Sequence, residues 1–296
     1  MDLRGILIFY IYAVLFMGVL AGVLYWDKHK RLTRRPFGED VKLLRMPGQY
    51  LFGRVIENDA SYMQWVFGLM VVPVFAGCIV LQIAAYFSAK SPLVLVLAVV
   101  VFVLVLLVCI RSLVARLKRC RDDYLGFFGE RIVADCLESL KEKGWFIFHD
   151  LQCDGATGKF NLDHVAVGPA GIWVIETKCW RKRRARPGFK DHELTFDGSK
   201  IICPWGDETD AIKQAADNAN WLQKCLQTRL GKTFDISAVL AFPGYFVTER
   251  KLGAVRLTNP KNLPLVLTGR DNAILNAAEI DLVRRQLEAQ CRDVEY

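Results

Sequence analysis

The chain has 296 residues, 53% of them hydrophobic, a formal net charge of +8 and a mean hydropathy of +0.22. That length allows one or two domains, and the hydropathy is high for a wholly soluble protein. Nine scattered cysteines without a Cys-x-x-Cys pair argue against a disulfide framework and against a structural zinc site, so reduced, packed thiols are expected.

The excess apolarity lies before residue 111. Three stretches, Gly5 to Trp26, Tyr62 to Phe87 and Pro92 to Ile110, approach or exceed the roughly 20 residues that cross a ~30 Å hydrocarbon core as helix. The third has no polar side chain between Leu93 and Val108, whereas Gln64, Pro73 and Gln82 interrupt the second. Between the first two spans lie Lys28, Lys30, Arg31, Arg34, Arg35, Lys42, Arg45 and Arg54, whereas Ser88 to Ser91 carries only Lys90. Arg111, Arg116, Lys118, Arg119 and Arg121 follow the third span. The positive-inside rule then places the N-terminus outside, a basic loop over residues 27–61 inside, and everything beyond Arg111 in the cytoplasm. A cleaved signal peptide fits the first span less well, because its apolar run is long and its positive flank follows it. The expected organisation is a multi-pass anchor in the inner membrane, residues 1–121, held by the lipid bilayer, and a cytoplasmic domain, residues 122–296.

From Asp122 to Lys143 the pattern predicts an amphipathic helix with an apolar stripe of Leu125, Phe128, Ile132, Val133, Cys136, Leu137 and Leu140, and with Glu130 at its border. Trp145 to His149 reads as a strand and Asp154 to Lys159 as a loop. Asn161 to Lys178 reads as a β-hairpin about Gly168-Pro169-Ala170-Gly171. Further strands are predicted at His192 to Phe196, Lys200 to Cys203, Asp235 to Phe242, Gly253 to Leu257 and Leu263 to Leu267. Helices are predicted at Thr209 to Leu230 and Ala277 to Arg292. On the first of these helices Gln214, Asn218, Trp221 and Cys225 form a line beside the main apolar stripe. The order of elements implies an α/β domain with a central mixed sheet flanked by helices.

The hairpin carries the chemistry. A turn centred between Pro169 and Ala170 sets Asp163 opposite Glu176, and strand alternation puts Lys178 on the same face. Two carboxylates so placed repel each other, and a hard divalent cation with oxygen ligands, such as Mg²⁺, relieves the repulsion. His164 points to the other face and reads as a packed sheet histidine, while His149 and His192 lack partners at useful spacing. The run Arg181, Lys182, Arg183, Arg184 and Arg186 directly follows the hairpin. It reads either as a solvated loop or as a phosphate-binding arm. Neither a Gly-rich P-loop nor a serine-nucleophile elbow is present.

Asp163 followed by Glu176-x-Lys178 resembles the metal-binding core of the PD-(D/E)xK nucleases. The ordered set Gly126-Phe-Phe-Gly-Glu130, Leu162-Asp163-His164-Val165, Gly168 to Gly171, Glu176-Thr-Lys178 and Gln214 resembles the nuclease-related domain, NERD, over about Asp122 to Gly244. The resemblance implies a restriction-endonuclease-like fold and an Mg²⁺ or Mn²⁺ ion held by Asp163, Glu176 and the backbone carbonyl of Thr177. It further implies Lys178 as the residue acting on the attacking water, Glu130 turned toward the metal site, and Gln214 in support. Two functions follow. One is a membrane-anchored nuclease hydrolysing DNA in preference to RNA. The other is a non-catalytic nucleic-acid-binding or scaffold protein that recruits partners to the membrane.

Overall fold

The computed structural model describes residues 3–33, 42–86, 92–155, 158–269 and 274–294. Arg34, Arg35, Phe87 and the Ser88 to Ser91 loop lie outside the described residues. In chain order the elements are α1 (Leu3–Thr33), β1 (Leu43–Leu44), α2 (Gln49–Tyr86), α3 (Pro92–Lys141), β2 (Phe146–Gly155), β3 (Gly158–Gly168) and β4 (Gly171–Thr177). There follow β5 (Glu193–Phe196), β6 (Ile201–Cys203), β7 (Gly206–Glu208), α4 (Asp210–Leu230), β8 (Ile236–Ala241), β9 (Phe246–Glu249) and β10 (Val255–Thr258). A 3-10 turn (Pro260–Asn262), α5 (Leu263–Thr268), α6 (Ala277–Cys291) and β11 (Arg292–Val294) complete the chain.

Two compact units emerge. Residues 1–44 with 292–296 contain α1, which carries the first expected span, and the antiparallel pair β1 and β11. Residues 45–291 contain everything else. Among the described residues α2 and α3 are each long and apolar enough to cross a membrane. Both helices outrun the apolar stretches. The third expected span and the expected Asp122 helix are one continuous helix, α3, which joins the apolar region to the α/β fold without a break.

The α/β fold has a five-stranded sheet in the order β10-β8-β4-β3-β2 and a four-stranded sheet in the order β7-β6-β5-β9. Both are mixed, as the sequence predicts for the central sheet: β4, β8 and β10 are parallel, and β2, β3 and β4 antiparallel. The parallel pair β4 and β8 needs a crossover, and α4 supplies it. On one face Val165, Val167, Ile172 and Val174 pack with Ala215, Ala219, Leu222 and Leu226 of α4 and Val283 and Leu287 of α6. On the other, Ala166, Trp173, Ile175 and Val239 meet Val133, Leu137 and Leu140 of α3 and Leu263 and Leu267 of α5. At the start of α4 the Glu208 carboxylate accepts from the backbone N–H groups of Asp210 (2.8 Å) and Ala211 (3.3 Å), satisfying donors that a helix leaves unpaired.

Several expectations are corrected. Leu263 to Leu267 is helix rather than strand: Asn259 caps the turn before it by accepting from Asn262 N–H at 3.1 Å. Leu263 and Leu267 are buried one helical turn apart, while Leu265, which strand alternation would bury, is 73% exposed. The first strand extends to Gly155, so most of the expected Asp154 to Lys159 loop belongs to β2 and β3. The buried stripe of α3 is also rotated. Gly129, Glu130, Val133, Ala134, Leu137 and Leu140 are buried, and Phe128 and Ile132 are exposed. Glu130 therefore lies inside the stripe, because glycine and alanine let the backbone approach where the hydrophobic pattern shows nothing.

Candidate active site

The hairpin has the predicted register. Gly168 pairs with Gly171 and His164 with Ile175, so the next step of the ladder sets Asp163 across from Glu176. The pairing of β2 with β3 continues the row. His149 pairs with His164 and Leu151 with Leu162, so Asp150 stands across from Asp163. Three acidic residues thus occupy one row across β2, β3 and β4. Asp150 has φ +50, a left-handed conformation uncommon for a residue other than glycine.

Glu176 is buried, and donors hold both of its oxygens. Lys178 Nζ (2.8 Å) and Gln214 Nε2 (2.8 Å) donate to Oε1, and Asn218 Nδ2 (2.9 Å) donates to Oε2. Lys178 Nζ also donates to Gln214 Oε1 at 2.7 Å. Gln214 and Asn218 are four residues apart on α4 and share the face turned to the sheet, so one helix turn orients the carboxylate and, through it, the ammonium.

Glu130 reaches the site from α3. Gly129 makes that approach possible: a Cβ there would lie 1.7 Å from Cys179 Sγ, so any larger residue would push the helix away from the chain leaving β4. Glu130 is buried, its Oε2 has no hydrogen-bond partner, and its carboxyl is pushed up to about 8 by burial, then by the charges of Asp150 and Glu176. The backbone N–H of Gly48 and the charge of Lys178 act in the opposite direction. Cys179, beside Glu130 and Asp163, is pushed up to about 12, chiefly by burial.

Asp163 keeps part of its surface in solvent, yet protein surrounds it on nearly every side. Its carboxyl lies well above the usual carboxylate range, first through desolvation, then through Glu176 and Glu130. Its Oδ2 accepts from the backbone N–H of Thr177 at 2.7 Å. Lys178 N–H donates the other way, to Ala241 O on β8 at 2.9 Å. A strand residue's N–H and C=O project to the same side, so the Thr177 carbonyl also faces the Asp163 side.

Among the described residues, no three His, Cys, Asp or Glu side chains are arranged as a ready metal site. The donor chemistry nevertheless fits a hard divalent cation. Carboxylates of Glu130, Asp163 and Glu176 crowd one ammonium, a buried carboxylate oxygen lacks a partner, and a main-chain carbonyl faces the same side. Mg²⁺ suits such a set because it needs few protein oxygens and keeps several waters.

The basic run after Lys178 has no regular secondary structure. Arg181 Nε donates to Asp122 Oδ1 at 2.9 Å, and Arg186 donates to the carbonyls of Cys203 (2.8 Å) and Pro204 (3.3 Å). Lys182, Arg183 and Arg184 point outward, with Arg183 5.6 Å from the Trp205 ring centre. His149 and His164, expected without ligand roles, bond to each other, Nδ1 to Nδ1 at 2.8 Å, on the opposite sheet face, so His149 does have a partner. Burial holds the His149 imidazole down at about 4. His192, also expected without a partner, meets Asp191 Oδ1 at 2.9 Å.

Sequence reasoning missed Asn218, Asp150 and Arg45 as parts of the site. Asn218 had a signal, its place one turn beyond Gln214. Asp150 also had one, since the register of the hairpin extends to the strand before it. Arg45, whose Nη1 lies 2.6 Å from Asp150 Oδ2, is 105 residues away and had none.

No curated protein and no solved structure matches the chain. Residues 125–243 match the family model of the nuclease-related domain, NERD, and this span contains Glu130, Asp150, Asp163, Glu176, Lys178, Gln214 and Asn218. The chain therefore carries a nuclease-related domain of the NERD family, residues 125–243.

Proposed function

We propose that the protein is a membrane-anchored, metal-dependent nuclease that hydrolyses phosphodiester bonds of DNA at the cytoplasmic face. The observation that carries this reading is the Asp163, Glu176, Lys178 and Gln214 constellation. Glu176 is held by three donors while Asp163 and Glu130 remain under-compensated, an arrangement costly for a fold and suited to a cation.

Asp163, Glu176 and the Thr177 carbonyl would hold Mg²⁺ or Mn²⁺. When bound, the cation supplies positive charge against the phosphate oxygens and acidity to water. Lys178, oriented by Glu176 and Gln214, places an ammonium where negative charge develops and can hold or pass on the proton of the attacking water. The buried, partnerless Oε2 of Glu130 is an acceptor that orients a water. Lys182, Arg183 and Arg184 bind backbone phosphates beside the site.

The anchor consists of α1, α2 and α3, whose apolar side chains are exposed along the helices, among them Leu15, Val19, Leu93, Leu97 and Val108. The Lys and Arg distribution in the sequence puts the α/β fold on the cytoplasmic side of the inner membrane, with the N-terminus outside.

Sealed vesicles test function and orientation together. Inside-out vesicles are expected to cut added plasmid when Mg²⁺ or Mn²⁺ is present, and right-side-out vesicles are not. Vesicles carrying Lys178→Ala should cut in neither orientation. Cutting by right-side-out vesicles alone would reverse the orientation, and equal cutting by the Lys178→Ala vesicles would remove the assignment.

A further inference from the structure

The chain entering α2 is built into the site's support. Arg45 and Asp150 form an ion pair at 2.6 Å in which both side chains are nearly shut off from water, 10% and 3% exposed. Asp150 is gripped further by Tyr50 N–H (3.1 Å) on the same oxygen and by Asn161 Nδ2 (2.8 Å) on the other. In the amide orientation that satisfies both groups, Gln152 accepts from Arg45 Nη2 at 2.6 Å. Arg45 N–H also donates to Cys291 O at 3.0 Å, so main chain and side chain are both fixed.

Three residues on, the same segment meets the nuclease motif on α3. Gly48 has φ +70, and a Cβ there would lie 2.7 Å from the Phe127 ring. Its N–H acts to lower the Glu130 carboxyl, against the larger effect of burial. Phe52 stacks on Phe127 with ring centres 5.1 Å apart. Residues 45–52 therefore bond at one end to the strand that faces Asp163, and at the other end pack on Phe127, less than one helical turn before Glu130.

We infer that Arg45 is a positioning residue for the candidate site: by clamping Asp150 it seats the segment leading into α2 so that Gly48 and Phe52, packed on Phe127, fix the turn of α3 that carries Glu130. A buried pair of this kind adds little net stability but specifies one arrangement, because either partner left alone is a buried, uncompensated charge. The site is complete only with the start of α2 seated, and displacement of that helix is transmitted to Glu130. The metal-affinity part of the test rests on the nuclease reading. The structural coupling does not.

The test uses the full chain in detergent micelles, with hydrogen exchange read over residues 45–52, 126–131 and 236–241 and Mn²⁺ affinity read by electron paramagnetic resonance. Arg45→Gln is expected to speed exchange in 45–52 and 126–131 together, leave 236–241 protected, and weaken Mn²⁺ binding about ten-fold, the scale of losses from second-layer partners of metal ligands. Arg45→Gln combined with Asp150→Asn should recover part of the protection, since neither charge is then buried alone. Should Arg45→Gln fail to fold, Arg45→Lys, which keeps the charge but loses the planar fork, is read for the same pattern. Faster exchange in 45–52 alone, with 126–131 and Mn²⁺ affinity unchanged, would overturn the inference. If the unsubstituted chain binds no Mn²⁺, the nuclease reading fails, and joint or separate exchange of the two segments still decides the coupling.

Discussion

Asn218 Nδ2 donates to Glu176 Oε2 at 2.9 Å, from one turn beyond Gln214, whose Nε2 donates to the other oxygen of the same carboxylate at 2.8 Å. Both oxygens are thus fixed from one helix face, and the direction of their remaining lone pairs is set before any ligand arrives. Asn218, which touches no substrate, thereby decides how well Glu176 can serve as a metal ligand.

Removing that donor should be felt in binding before it is felt in folding. Asn218→Ala is expected to weaken Mn²⁺ binding roughly 10- to 100-fold. It also leaves a buried carboxylate oxygen short of one bond, at about 1–3 kcal/mol. Calorimetric titration with Mn²⁺ and a denaturant melt separate the two. Unchanged affinity would mean that Gln214 and Lys178 orient Glu176 without help.

Glu130 makes the metal-free protein sensitive to alkali. Its carboxyl is raised from the ordinary 4.5 to about 8 in the fold, so between those values the folded state holds a proton that the unfolded state has released. Its contribution to stability is full below about 4.5 and is lost as pH rises through 8. Glu130→Gln keeps the shape and removes the titration. It should stabilise the metal-free protein at pH 8, by an amount on the order of 3 kcal/mol, and leave it nearly unchanged at pH 5. Melting curves at the two pH values check this, and equal effects at both would contradict it.

Gly129 is where α3 and the chain leaving β4 come closest. Gly129→Ala drives a methyl into Cys179 Sγ and should cost about 1–3 kcal/mol as overpacking, together with displacement of Glu130. Cys179→Ala alone should be mild. The double variant should recover much of the loss, since the two residues are in contact and their effects are not additive. A double-mutant cycle on melting temperature and Mn²⁺ affinity measures the coupling, and simple additivity would rule out the contact as the cause.

The outward arginines should act through charge and the anchored ones through folding. Arg183→Ala with Arg184→Ala is expected to weaken binding to any DNA sequence and to reduce the slope of log K against log salt by about 2. Arg186→Ala loses bonds to two carbonyls and should loosen the loop instead. Fluorescence anisotropy across a salt series distinguishes the two, and an unchanged slope in the double variant would remove the arm from the DNA contact.

Asp163, Glu176 and Lys178 were readable in sequence because a short turn and a period of two fix a hairpin face almost without tertiary information. The same logic carried to β2 finds Asp150. It does not find Arg45, because a bond between residues 105 apart leaves no periodic trace. The apolar run from Leu263 to Leu267 fits both a strand and a helix turn. Five residues cannot separate the two, and Asn259 and Pro264 decided for helix. Glu130 was set at the border of its stripe because glycine adds nothing to a hydrophobic pattern while allowing the closest approach in the helix.

The most direct measurement is cleavage of plasmid and linear DNA by the purified full chain in detergent, with Mg²⁺, Mn²⁺ or EDTA, beside Asp163→Ala and Lys178→Ala. Cleavage is expected to require the metal and to be lost in both variants while each stays folded. A folded, DNA-binding protein that cuts nothing under any of these conditions would contradict the nuclease and leave a recruiting role. Cleavage that survives in either variant would show that the chemistry resides elsewhere.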